Sequence, residues 1–200
     1  MEQPRISAKK LTYFAILLAL VIVLQLLSTF GVLKISATPI NLTLIPVVLG
    51  GMILGPVYGG LLGLAFGIVT LVAGITGADG FTFVLWSDHP ILTALTCLLK
   101  GSLCGLISSF AYCVVAEKKK YLATFVASAV APIVNTGLFI LGALLMNDTI
   151  SGFAKAEGVS VMYFLIIICA GVNFLIELGI NLVVSPAIYR VSEIISKKKF

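Results

Sequence analysis

From Asn41 to Ile194 the chain is a succession of apolar stretches, almost free of charge and separated by short polar breaks. A hydrocarbon core of about 30 Å takes roughly 20 apolar residues in helical form. Read against that length, the breaks delimit helices at about 10–30, 41–54, 57–75, 91–116, 121–146 and 159–191. The pattern predicts an all-α polytopic integral membrane protein, a single transmembrane domain over 1–200 with six spans. The stretch 41–54 is short for a crossing and contains Pro46. Joined to its successor, 40–75 would form one rod of about 54 Å at ~1.5 Å per residue, more than tilt absorbs. Two spans with a tight turn at Gly55-Pro56 are therefore expected, with a re-entrant segment as the alternative. Gly51, Gly55, Gly59, Gly63 and Gly67 recur at every fourth position across this region. In lipid, small residues let helix backbones touch, and that contact replaces the hydrophobic drive available in water.

Composition agrees with the pattern. The chain is 60% hydrophobic and 10% charged, with a mean hydropathy of +1.18. A water-soluble domain of this size has nowhere to bury so much apolar surface. The net charge of +5 does not indicate nucleic acid, because of where the basic residues lie. They cluster at Arg5, Lys9 and Lys10, at Lys118, Lys119 and Lys120, and at Arg190 with residues 197–199. Lys and Arg accumulate on cytoplasmic loops. Both termini and the turn at Gly55-Pro56 are thus expected inside, the loops 31–40, 76–90 and 147–158 outside, and the protein in the cell membrane. The apolar run 11–27 exceeds the ~7–15-residue core of a signal peptide and is read as a retained span. Cys97, Cys104, Cys113 and Cys169 all lie inside apolar runs without a CxxC pair, and read as small buried hydrophobes rather than disulfides or metal ligands.

Ionisable residues inside spans are costly and mark sites or pathways. Lys100 and Glu177 are the deep ones. Lys100 lies about 15 Å, at ~1.5 Å per residue, from the outer start of its helix, and Asn135 about 16 Å from the outer end of its own. Asn173 is one turn from Glu177 on the same face. Lys100, Asn135, Asn173 and Glu177 can ring one level as a polar pocket open to the outside, with Asn41, Lys34 and Thr43 adding contacts from the first outer loop and second span. The alternative is a Lys–Glu pair with amide hydrogen bonds acting as interhelical glue. Trp86 suits either an interfacial aromatic anchor or a ligand-stacking role. His89, a lone histidine before Pro90, reads as a helix-entry residue, since one His cannot hold a metal by itself. No HExxH, GxSxG or Walker A motif is present. No enzyme activity, metal or cofactor is expected, and active transport would need another subunit or an ion gradient for energy.

The first span carries Ala15-x-x-x-Ala19, and residues 46–67 are glycine-rich with a Gly-Pro-x-x-Gly-Gly turn at 55–60. With this length and topology, the chain resembles the substrate-binding S components of energy-coupling factor (ECF) transporters. The resemblance implies capture of a water-soluble vitamin or precursor from the outside, followed by ATP-driven uptake with a transmembrane coupling subunit and two ATPase subunits. Ala15 and Ala19 would form the docking face for the coupling subunit; the competing reading packs them against another helix of this chain. The stretch 90–105, with Lys100-Gly101, resembles members assigned to pantothenate, although those carry Arg where this chain has Lys. The rival functions are a stand-alone secondary transporter using Glu177 as an ion site and a ligand-free assembly subunit. A secondary transporter predicts repeated broken helices, and Gly55-Pro56 has no counterpart in the second half.

Overall fold

The computed structural model describes residues 8–30 and 41–197. Among these the chain is helical throughout: α1 (Ala8–Thr29), α2 (Leu44–Leu54), α3 (Pro56–Ile75), α4 (Gly80–Asp88), α5 (Pro90–Ala116), α6 (Lys120–Leu145), α7 (Asn147–Ala156), α8 (Val161–Tyr163), a π-helical segment (Phe164–Gly171) and α9 (Val172–Lys197). Five helices are long and apolar enough to cross a membrane: α1, α3, α5, α6 and the continuous stretch Val161–Ser196. α2, with 11 residues, is a shorter apolar helix. The chain breaks between α2 and α3 at Gly55, whose φ of 104° is open to glycine and strained for other residues. Pro56 then starts α3 with a fixed φ and no donor to leave unsatisfied. Two segments expected as loops are helical. α4 and α7 are short helices whose inward residues, Phe81 and Leu85 on one and Ile150 and Ala154 on the other, recur one turn apart and are buried together. Lys34 and the rest of the loop 31–40 lie outside the described residues.

Burial is inverted relative to a protein dissolved in water. Val183 is 80% exposed and Ile91 75%, while Asn135 and Glu177 are 3% exposed and Asn181 1%. That is the arrangement a bilayer selects, with apolar side chains toward lipid and polar ones toward the bundle axis. The α3–α5 seam is set by glycine. A side chain at Gly63 would collide with the carbonyl oxygen of Gly101, and one at Gly105 with that of Gly59. The fourfold glycine spacing on α3 thus meets matching glycines on α5. Cys97, Cys104 and Cys169 are buried and free; Cys113 departs from expectation, since α5 turns it to the exterior.

Two apolar clusters form. One gathers Leu17, Val21, Val47, Leu62, Phe66 and Cys104, with Ala127 and Ala131 of α6. The other joins α4, α7 and the π-helical segment through Phe81, Leu85, Met146, Ile150, Phe164 and Leu165. The segments that carry Lys120 and Arg190 meet at one end of the bundle, where Tyr121 and Tyr189 pack edge to face at 5.4 Å, beside Lys120 and Glu193. α4 caps the other end.

Candidate functional site

A polar cavity opens toward the end capped by α4. Lys100, Asn135, Asn173, Glu177 and Asn41 line it together, with Gln25, Thr70, Asp79, Phe81 and Phe139. Its space for water is about 50 Å³, enough for a few water molecules. Each wall residue is placed by a recognisable device. Lys100 precedes Gly101, the glycine whose neighbour across the seam is Gly63, so the close backbone approach brings Lys100 to α3. Its ammonium sits 5.7 Å from the centroid of Phe66 and 5.5 Å from that of Phe139. Both distances fall within the range at which an aromatic face attracts a cation. Lys100 forms no ion pair within 4.0 Å with any described residue.

Glu177 faces the same cavity from α9. Asn41 holds it doubly: the backbone N–H donates to Oε1 at 2.8 Å and the side-chain amide to the same oxygen at 2.7 Å. Oε2 of Glu177 and Oδ1 of Asn135 are buried and accept no hydrogen bond from a described residue. Asn181, one turn along, instead donates from Nδ2 to the carbonyl oxygen of Glu177 at 2.8 Å. The π-helical segment reaches the cavity through Cys169 and Ala170; such widened turns occur frequently at functional sites.

Gln25 was not singled out from the sequence. It is 1% exposed and ties three parts of the wall together. Its Nε2 donates to Thr70 Oγ1 at 3.1 Å, and Thr43 Oγ1 donates to its Oε1 at 3.0 Å. The signal was present as a lone amide inside the apolar first span. Trp86 is half-buried on α4 and is not a lining residue. His89 caps the start of α5. Ala15 and Ala19 are exposed on α1.

A family model described as ECF transporter, substrate-specific component, matches residues 9–189. The chain belongs to that family. No curated protein matches the sequence. The S component is thus a multi-pass protein of the cell membrane. Its family works with transmembrane and ATPase subunits, binds small substrates and is a class of transporter components, not of enzymes.

Proposed function

We propose that this S component captures a carboxylate-bearing vitamin or vitamin precursor, with pantothenate as the specific candidate, from the exterior. A transmembrane coupling subunit and two ATPase subunits then drive its uptake. The observation that carries the reading is Lys100: a half-buried cation, cradled by two rings, on the wall of a polar cavity and without a carboxylate in contact. An isolated ammonium in such surroundings is costly, and an incoming carboxylate compensates it. Lys engages that carboxylate as a point charge, where Arg would grip it as a fork. Asn135, Asn173, Glu177 and Asn41 line the same wall and orient the remainder of the ligand.

In this reading six segments cross or enter the membrane, counting α2, and both termini are cytoplasmic. The gathering of basic residues at one end supports that orientation, in which the cavity and its α4 cap face the outer side. The space for water is only about 50 Å³, so a vitamin would need the cavity to widen, and in this reading α4, which lines it through Phe81 and Thr82, moves to admit it. Gly77, at φ 77°, lies in the turn before α4 and supplies a backbone position that tolerates such a change. Ala15 and Ala19 serve as the docking face for the coupling subunit, and their exposure supports this, since small exposed residues admit a partner helix at close range.

The test is binding of pantothenate to the purified chain in detergent, with and without Lys100→Met, together with mass spectrometry of any small molecule that co-purifies. The reading expects a near-stoichiometric anionic vitamin, lost in the variant while the protein remains folded. Unchanged affinity in Lys100→Met would remove Lys100 from the site.

A further inference from the structure

The orphaned acceptors of the cavity carry information about the ligand that Lys100 does not. Asn41 spends both of its N–H groups on one oxygen of Glu177, Oε1, at 2.8 and 2.7 Å. That double contact anchors Oε1 and leaves Oε2 with no partner among the described residues. Asn135 Oδ1 is in the same condition on α6. Both side chains are 3% exposed, and both line the cavity with Lys100. Water can serve these acceptors while the cavity is empty; a ligand that displaces it and brings no donor leaves each at a cost of roughly 1–3 kcal/mol, and more when charged. Two such atoms at one cavity, one of them already oriented, form a template for hydrogen-bond donors. Lys100 supplies the complementary end, outside ion-pair distance of Glu177.

We propose that the site reads its ligand at two ends: an anionic group at Lys100, and hydroxyl or N–H donors at Glu177 Oε2 and Asn135 Oδ1. The inference rests on the capture reading and adds the substrate class. The ligand is a small monocarboxylate with donors remote from its carboxylate. A monocarboxylate without donors leaves both acceptors unsatisfied, and a dicarboxylate brings a second anion against Glu177. Each is rejected for a different physical reason.

Four probes separate the terms in titration calorimetry on the ligand-free full chain. Pantothenate and biotin each carry one carboxylate and remote O–H or N–H donors. Nicotinate has the carboxylate without a donor, and panthenol has the donors without the carboxylate. At least one of the first two is expected to bind about 10–100-fold more tightly than nicotinate and panthenol, the range for a hydrogen bond to a charged group. Glu177→Gln presents an amide in place of an acceptor oxygen and is expected to shrink the preference over nicotinate about tenfold or more. Asn135→Ala provides the same comparison should Glu177→Gln fail to fold. Because the readout is a ratio between ligands, a general loss of packing does not mimic it.

Nicotinate binding as tightly as the donor-bearing acids would overturn the two-ended site and leave vitamin capture standing. So would a preference that survives both substitutions, or a co-purifying molecule that lacks either group. If no probe binds and no small molecule co-purifies, the capture reading falls and takes this inference with it.

Discussion

The two halves of the bundle are held together differently. Along the α3–α5 seam the contact is backbone on backbone, with glycine facing carbonyl at Gly63–Gly101 and Gly59–Gly105. In the cap formed by α4, α7 and the π-helical segment the contact is between aromatic side chains. Phe81 lies 5.2 Å from Phe153 and 6.1 Å from Phe139, and Phe153 stacks on Phe164 at 5.9 Å. A backbone seam has no slack, because its atoms have no rotamers to adjust. A ring cluster can slide and re-form. The cavity lies between the two, with Lys100 on the seam side and Phe81 on the cap side. In the proposed function, the charged reader is therefore mounted on the less deformable half, and the part that would open for a ligand on the more deformable one.

The comparison breaks most readily at the seam. Gly63→Leu drives a side chain into the Gly101 carbonyl, and a well-packed seam absorbs such overpacking at about 1–3 kcal/mol or more. The expected outcome is loss of the monodisperse peak in size-exclusion chromatography, with Gly63→Ala intermediate. A Gly63→Leu protein with the wild-type melting temperature would show that the seam is not close-packed. Lys100→Met comes next, with affinity for pantothenate falling at least 100-fold while the melting temperature holds within a few degrees.

Gln25→Leu removes two hydrogen bonds that join α1 to Thr43 and Thr70. A loss of about 1–3 kcal/mol is expected, because both hydroxyls stay buried, and a thermal melt reads it directly. Thr149→Ala cuts the tie from α7 to α4, where Thr149 Oγ1 donates to Asp88 Oδ2 at 2.6 Å. Its effect should be kinetic: ligand dissociation faster by up to about tenfold, equivalent to about 1.4 kcal/mol, with stability nearly unchanged. Trp86→Phe should move affinity least, under about twofold, because Trp86 stands outside the cavity wall and retains an apolar ring suited to the headgroup region.

Legibility followed contrast. Lys100, Glu177, Asn135, Asn173 and Asn41 stood out because polar groups in or beside apolar runs are conspicuous, and all of them lie on the cavity. The break at Gly55 was visible because a single helix through it would have been too long. Phe66, Phe81 and Phe139 were not distinguishable, since a ring facing Lys100 and a ring facing lipid look alike in a hydrophobic sequence. α4 and α7 read as loops on their polarity, yet the one-turn spacing of Phe81 with Leu85 and of Ile150 with Ala154 contains their inner faces. Trp86 attracted a ligand role by its type alone, and the rotation of α4 directs the neighbouring Phe81 and Thr82 to the cavity instead.

Gln25 shares a rod with Ala15 and Ala19, which lie ten and six residues back, about 15 and 9 Å along an α-helix. One end of that rod is latched to the cavity wall through Thr43 and Thr70, and its other flank is bare. A rod has no independent joints. A twist or lift imposed where the latch sits would turn the bare flank with it, so in the proposed function α1 is the element that could carry a change at the chamber to the outer surface of the bundle without a loop having to refold.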